Sequence, residues 1–269
     1  MSNRSIAVFF VAVASLLALK RVLLQQPMDN RDAVYIVDAV VTRHQDPSEC
    51  FHAKKHNITK HRYGLLPKPF INLGMPKMGS SSLQTFFTCG DYNSSHYECG
   101  KELCADCMKR AVSNSNSPLS SCGGFDAFVQ MDDGSFFPQI EYLNEIHEES
   151  PNATFLLTFR GMDGWYRSIS HWPPNADTTN PPLVMSNRMK RANITGLPSG
   201  VGNNVNEFSQ WFCSHVNNVR DFVKRHPSHA LIEIDIEDRN VGERLGKFFG
   251  IRDACWGHAN KNPGLSGRN

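Results

Sequence analysis

Short, wholly apolar runs alternate along the chain with longer runs in which apolar residues recur every three or four positions. The first kind predicts buried strands and the second predicts amphipathic helices. The predicted strands are Phe70–Gly74, Phe125–Met131, Ala153–Phe159 and Ala230–Ile236, and the predicted helices are Ser80–Cys89, Pro138–His147, a short helix capped by Asp163, a helix over about residues 205–225, and Val241–Phe249, which Gly250 ends. This alternation predicts an α/β fold, with a mostly parallel sheet, flanking helices, and ligands bound at the carboxyl ends of the strands.

Three segments lack the alternation. Residues 25–68 are polar and irregular, which predicts a stem, and the folded domain is predicted to occupy residues 69–269. Within that domain, residues 92–122 are rich in Ser, Asn, Cys and Gly and predict an insertion, and residues 173–204 predict a long loop. Because surface loops vary in shape and carry recognition, we expect these two segments to set ligand specificity.

The N-terminus carries a membrane-targeting segment. Residues 6–19 are uncharged and almost wholly apolar, and three more apolar residues follow Lys20 and Arg21, whose long side chains can reach the membrane surface. This predicts an uncleaved signal anchor over residues 6–24 behind a cytoplasmic tail of residues 1–5. A cleaved signal peptide is the alternative, although the small-residue pattern Ala12-Val13-Ala14 lies too early for cleavage after a complete apolar region.

Cysteines and glycosylation acceptors indicate which compartment the domain occupies. The chain has 8 Cys, and Asn-x-Ser/Thr acceptors occur at Asn57, Asn93, Asn152 and Asn193. An even cysteine count and several acceptors favour a domain that faces the secretory lumen. The insertion contains four cysteines, Cys99, Cys104, Cys107 and Cys122, which could form either disulfides or a four-thiolate zinc site. We favour disulfides, because Cys104 and Cys107 have the CxxC spacing of zinc ligands but the other two cysteines do not form a second CxxC. Cys213 and Cys255 are a further predicted pair.

Composition limits the kinds of partner. The chain has 269 residues, of which 40% are hydrophobic, which is enough for one globular core. Its formal net charge of +2 gives no field that would hold a nucleic-acid backbone, so we expect no nucleic-acid partner. A site for a polyanionic ligand must therefore be local.

The loop between the first predicted strand and helix has the composition of an anion site. In Pro76-Lys77-Met78-Gly79-Ser80-Ser81-Ser82-Leu83, a glycine permits a tight turn, backbone N–H groups face outward at the start of the helix, and hydroxyls and a lysine complete a cradle. The alternative is a capped helix beside a surface lysine. The loop lacks the Gly-Lys-Ser/Thr ending of a Walker A sequence.

A second group of polar residues follows the third predicted strand. Arg160 stands at the carboxyl end of that strand, and Ser168 follows eight positions later on the next helix. A guanidinium and a hydroxyl so placed can grip a second phosphate near the first.

With both motifs present in this order, the sequence resembles the sulfotransferases that use 3′-phosphoadenosine 5′-phosphosulfate (PAPS), over about residues 69–262. The resemblance implies a three-layer, P-loop-like nucleotide-binding fold and a metal-free transfer of a sulfuryl group to a hydroxyl or amine. By this resemblance Lys77 and the cradle residues Gly79, Ser80, Ser81 and Ser82 hold the phosphosulfate, Arg160 and Ser168 hold the 3′-phosphate, and Lys261 is a further phosphate contact.

The general base is less well marked. Family members use either a His after the second strand or a carboxylate, and the corresponding stretch here ends in Asp132-Asp133. We favour Asp132, then Asp126, then Asp133, each of which could instead be a turn residue or cap.

Together these features predict a single-pass type II protein of the Golgi membrane whose lumenal domain sulfates a carbohydrate or other secretory acceptor. Secretion after signal cleavage is the alternative for its location. The alternative functions are a catalytically inactive nucleotide-binding scaffold and an NTP-dependent, kinase-like P-loop enzyme.

Overall fold

The computed structural model describes residues 47–54, 66–172, 183–200 and 204–257. The strands are β1 (Phe70–Asn72), β2 (Ser94–Ser95), β3 (Glu98–Cys99), β4 (Glu102–Leu103), β5 (Ala127–Phe128), β6 (Thr154–Phe159) and β7 (Ala230–Asp235). The helices are α1 (Ser80–Cys89), α2 (Cys104–Ser113), α3 (Pro138–Glu141), α4 (Leu143–Glu149), α5 (Met162–His171), α6 (Met185–Arg191), α7 (Val205–Arg225) and α8 (Val241–Phe249), with 3₁₀ turns at Pro47–Phe51, Ser120–Cys122 and Asp253–Cys255.

The central sheet has five parallel strands in the order β2-β5-β1-β6-β7. All six residues of β6 are buried, because helices cover both faces of the sheet. Phe155 and Leu157 pack towards α5 and α7 on one face, whereas Leu156 packs towards α1 and α8 on the other. The predicted three-layer α/β fold is confirmed.

Several predicted elements differ from those in the structure. The predicted helix Pro138–His147 is interrupted at Tyr142, whose φ of −122° and ψ of 27° are not helical. Helix α5 has Gly161 as its N-cap, and Asp163, predicted to be the cap, lies in the first turn. The predicted loop 173–204 contains α6, whose residues Met185 and Met189 are buried at helical spacing.

All eight cysteines form disulfides. The insertion is closed by Cys99–Cys104 and Cys107–Cys122, which agrees with the disulfide interpretation. The predicted bridge between Cys213 and Cys255 is wrong: Cys213 pairs with Cys50 and Cys255 pairs with Cys89. Each of these two bridges joins positions more than 160 residues apart in sequence, which the spacing of cysteines along a chain cannot show.

Residues 47–54, which fall in the range predicted as stem, contact α7 and β7. Arg220 of α7 donates to the carbonyls of Glu49 (2.9 Å) and His52 (2.8 Å), and it forms an ion pair at 2.7 Å with Glu233 of β7, whose side chain is fully buried. The Lys54 N–H donates to the same carboxylate at 2.6 Å. The contacts with Arg220 and with the Lys54 N–H offset the cost of burying the carboxylate of Glu233.

Among the described residues, none of the helices is both long and apolar enough to cross a membrane. The predicted tail and anchor, residues 1–24, lie outside the described residues, as does the acceptor Asn57. The acceptors Asn93, Asn152 and Asn193 are exposed.

Candidate active site

The loop after β1 presents the start of α1 at the carboxyl edge of the sheet. Gly79 has φ +91°, and a Cβ there would lie 2.8 Å from Ile236 Cγ2, so both backbone conformation and space require glycine. Gly79 is also the N-cap of α1, and no side chain caps the helix. The alternative of a helix capped by a side chain is therefore not what the structure contains. The amide end of α1 is a ready site for an anion.

Lys77 is held in this loop with its ammonium group partly buried. Its backbone has φ +65°, and its Nζ lies 3.0 Å from the centroid of the Trp172 ring. Trp165 Nε1 donates to Pro76 O at 2.8 Å and so ties the loop to α5. Burial, followed by the nearby charge of Arg160, lowers the pKa of Lys77 to about 8. An anion bound beside this lysine would relieve both effects.

Arg160 lies next to Lys77. Its Nη1 donates to Lys77 O at 3.3 Å, and its Nε lies 3.5 Å from a carboxylate oxygen of Glu237. The other oxygen of Glu237 accepts from Gly161 N at 3.1 Å, which holds the turn between β6 and α5. Ser168 is buried in α5, two turns after Arg160. The structure thus brings Lys77, the start of α1 and Arg160 to one edge of the sheet.

His96 is a residue of this site that the sequence did not reveal. It follows the two-residue edge strand β2, which belongs to the predicted insertion, and its Nε2 lies 3.2 Å from both Ser80 Oγ and Ser81 Oγ. Ser80 Oγ also donates to Gln130 Oε1 at 2.8 Å. Burial and the charge of Lys77 lower the pKa of His96, so its imidazole is neutral at neutral pH and able to accept a proton.

Asp132, the favoured base, is buried, with 2% of its surface exposed. Gln139 Nε2 lies 3.4 Å from its Oδ2 and donates to Gly74 O at 3.2 Å, which links Asp132 to the loop after β1. Its Oδ1 has no hydrogen-bond partner among the described residues. Burial raises the pKa of Asp132 to about 7, and the charge of Asp133 adds to this rise. This carboxyl therefore lies beneath the loop after β1, to which Gln139 connects it.

The buried Asp132 predicts an unusual dependence of stability on pH. In the unfolded chain its pKa is near 3.8, so between that value and about 7 the folded protein binds the proton more tightly, and stability falls as pH rises through this range. Asp132→Asn cannot ionise. We expect its free energy of unfolding to exceed that of the wild type by on the order of 3 kcal/mol at pH 8 and to match it below pH ~4.

Urea unfolding at several pH values measures this difference. Asp221→Asn on the exposed face of α7 is the control and should show no such pH-dependent gain. An Asp132→Asn protein less stable than wild type at pH 8 would contradict the expectation.

Two other sequence-predicted residues, Asp126 and Asp133, do not join the site. Asp126 precedes β5 and lies at the opposite, amino edge of the sheet, where it pairs with Lys68 Nζ at 2.9 Å. Asp133 Oδ1 accepts from Ser135 N, Ser135 Oγ and Phe136 N, each at 2.7 Å, so it closes a turn. Lys261 lies outside the described residues.

A cleft of about 1070 Å³ opens beside Arg160 at the carboxyl ends of β6 and β7. Its wall is formed by the first half of α7 and by residues 51–52, and its rim carries Asp235 and Glu237. This volume is at the upper end of the range for small-molecule sites. The two carboxylates disfavour an anion on that side of Arg160.

A family model described as a sulfotransferase domain matches residues 70–253. The match begins at β1 and includes the loop after it, β6, α5 and β7. No curated protein matches the chain.

Proposed function

The chain belongs to the sulfotransferase family, and from this premise we propose that it transfers a sulfuryl group from PAPS to a hydroxyl or amine of a secretory-pathway acceptor, a carbohydrate. The observation that carries the proposal is the pair of neighbouring cations, Lys77 and Arg160, beside the start of α1. Each charge is held near the other, and burial together with the charge of Arg160 lowers the pKa of Lys77, so a polyanionic ligand is favoured there.

We propose a role for each group of this site. Lys77 and the amide end of α1 hold the phosphosulfate, and Arg160 with Ser168 holds the 3′-phosphate. When the acceptor oxygen bonds to sulfur, the bond between sulfur and the phosphate oxygen breaks and negative charge grows on that oxygen. Fixed positive groups that face the oxygen before the reaction stabilise this charge without reorganisation.

We assign the general base to His96 rather than to Asp132. His96 is neutral at neutral pH and lies beside the cradle serines, whereas Asp132 is buried under the loop. The imidazole accepts the acceptor's proton as the new bond to sulfur forms. We therefore propose a general base in the insertion, just after β2, and not at the end of β5.

The donor site can be tested by ligand-induced stabilisation of the full chain. We expect 3′-phosphoadenosine 5′-phosphate to raise the unfolding temperature more than ADP, which lacks the 3′-phosphate. Arg160→Met should weaken binding of the first nucleotide by about 10- to 100-fold and leave ADP binding nearly unchanged. Arg167→Met, an exposed change on the same helix, is the control. Equal stabilisation by both nucleotides would refute the PAPS assignment.

Two variants test the base. His96→Gln should lower turnover by about 100-fold and remove the fall in kcat at acid pH, because glutamine cannot accept the proton. Asp132→Asn should keep most of the activity. Affinity for 3′-phosphoadenosine 5′-phosphate should change little in either variant, which separates a proton-transfer role from damage to the cradle. If His96→Gln is fully active and Asp132→Asn loses activity, Asp132 is the base and the assignment to His96 is wrong.

The predicted membrane anchor and Golgi location remain part of the proposal. A lumenal domain is supported by four disulfides and by exposure of the three described glycosylation acceptors, Asn93, Asn152 and Asn193. Both features are typical of a domain that folds in the secretory lumen.

A further inference from the structure

Arg188 of α6 is a buried cation without a described counter-charge. Its residue surface is 8% exposed, and its Nε has no hydrogen-bond partner. No carboxylate among the described residues forms an ion pair with its guanidinium. Leaving an ionised group buried and unpaired costs several kcal/mol, so a ligand that neutralises it gains a corresponding advantage.

The other cations of α6 differ from Arg188. Lys190 is buried too, but it forms an ion pair with Glu207 of α7. Arg191 is exposed to solvent. Among the three cations of α6, Arg188 is therefore the one that is buried and has no described ion-pair partner.

Arg188 lies at the same edge of the sheet as the cradle. Its Nη2 would be 2.7 Å from a Cβ at Gly134, so the guanidinium rests on a residue that has no side chain. Gly134 lies two positions after Asp132, whose carboxyl is linked through Gln139 to Gly74 O at the start of the loop after β1.

Further polar groups of α6 are unsatisfied. Ser186 Oγ and Asn187 Oδ1 are buried atoms with no hydrogen-bond partner. Buried polar atoms are nearly always hydrogen-bonded, so each of these exceptions calls for a partner such as a water molecule or a ligand. These atoms belong to the segment 173–204, which we expected to determine specificity.

We propose that Arg188 binds an oxyanion of the acceptor, a carboxylate or a sulfate ester, and that the acceptor is an acidic carbohydrate. The proposal rests on the proposed sulfotransferase function and names its substrate class. In the proposed mechanism Lys77, Arg160 and the start of α1 bind the phosphates of the donor. We therefore assign Arg188 to the second substrate, the acceptor. A planar guanidinium pairs with such a group through two parallel hydrogen bonds.

The first test measures the stability of the ligand-free full chain. Arg188→Met replaces an uncompensated buried charge by an apolar group of similar length, so its unfolding temperature should equal or exceed that of the wild type. Arg191→Met, an exposed change on the same helix, is the matched control. A large loss of stability in Arg188→Met would show a structural ion pair and overturn the proposal.

The second test measures binding of three polysaccharides to the full chain with 3′-phosphoadenosine 5′-phosphate present. The probes are an unsulfated uronate polymer, the same polymer with its carboxyl groups reduced to alcohols, and a sulfated neutral polymer. We expect the uronate polymer or the sulfated polymer to bind at least 10-fold more tightly than the reduced polymer, and Arg188→Met to remove that preference. Which of the two binds identifies the anionic group as carboxylate or sulfate ester.

Arg188→Lys should recover part of the affinity, because it keeps the charge and loses the paired geometry. Equal binding of all three polymers, or equal preference in Arg188→Met and wild type, overturns the proposal. Weaker binding of 3′-phosphoadenosine 5′-phosphate by Arg188→Met would assign the residue to the donor and would also overturn it. The proposed sulfotransferase function is tested separately by nucleotide binding. If the wild type does not prefer 3′-phosphoadenosine 5′-phosphate over ADP, that function is wrong, whatever the polymers show.

Discussion

Replacing Lys77 by methionine is expected to lower the rate of sulfuryl transfer by about 100- to 1,000-fold. Lys77 lies in the loop that presents the start of α1, beside Arg160 and against the ring of Trp172. In the proposed mechanism its ammonium stabilises charge on the leaving phosphate oxygen. Methionine keeps the length of the side chain and its contact with Trp172, so the fold should be retained.

The ionisation of Lys77 supplies a second readout. Because its pKa is lowered to about 8, the wild type should bind 3′-phosphoadenosine 5′-phosphate less tightly as pH rises through that value, whereas Lys77→Met should not show this fall. Lys224→Met, an exposed change on α7, should behave as the wild type. Rapid turnover by a correctly folded Lys77→Met protein would remove this lysine from the mechanism.

Removing the Cys50–Cys213 bridge is expected to cost about 5 kcal/mol of stability on the chain-entropy estimate for a long loop. The bridge joins residues 163 positions apart, so its loss frees a large part of the unfolded chain. We therefore expect Cys50→Ala/Cys213→Ala to unfold at a temperature lower by roughly 10–20 °C. Calorimetry or denaturant unfolding of the full chain measures the change.

The Cys99–Cys104 bridge is the matched control, because it spans a separation of only 5 positions. The same estimate gives about 2 kcal/mol for its removal. Equal losses in the two double variants would show that loop length does not govern the stabilisation, and a stable Cys50→Ala/Cys213→Ala protein would contradict the prediction outright.

Features that depend on neighbouring residues could be predicted from the sequence. Helices α1, α7 and α8 have the predicted bounds, because each carries a continuous apolar face of helical spacing. The loop at Lys77 and Gly79 follows a short buried strand, and Arg160 follows another, so their meeting at the carboxyl edge is a consequence of parallel strands.

Features that depend on distant residues could not be predicted. His96 reaches the site because β2 pairs with β5 as an edge strand, and two residues are too few to show alternation. The burial of Asp132 is a further example, because it results from packing against Gln139, which no local pattern shows. The partners of Cys213 and Cys255 lie more than 160 positions away, and nothing local marks them.

The helix α6 was missed for a different reason. The Pro, Asn and Gly content of residues 173–204 favours a loop, whereas α6 buries charged residues, Arg188 and Lys190, beside its two methionines. A charged residue is expected at the surface unless the sequence shows a nearby residue of opposite charge. The partner of Lys190 is Glu207, which lies 17 positions further along the chain. The burial of Arg188 and Lys190 therefore could not be predicted from the sequence pattern, and the structure is needed to identify Arg188 as a candidate ligand-binding residue.

The path of the covalent chain also determines how the domain responds to mechanical load. Tension on the N-terminal segment enters at Cys50 and passes through its bridge into the 21-residue helix α7, whose Arg220 grips the carbonyls of Glu49 and His52. The strand β1, which pairs along both edges, is bypassed. A pull from that side is thus transmitted to a helix that flanks the sheet, without passing along β1 or the loop that carries Lys77.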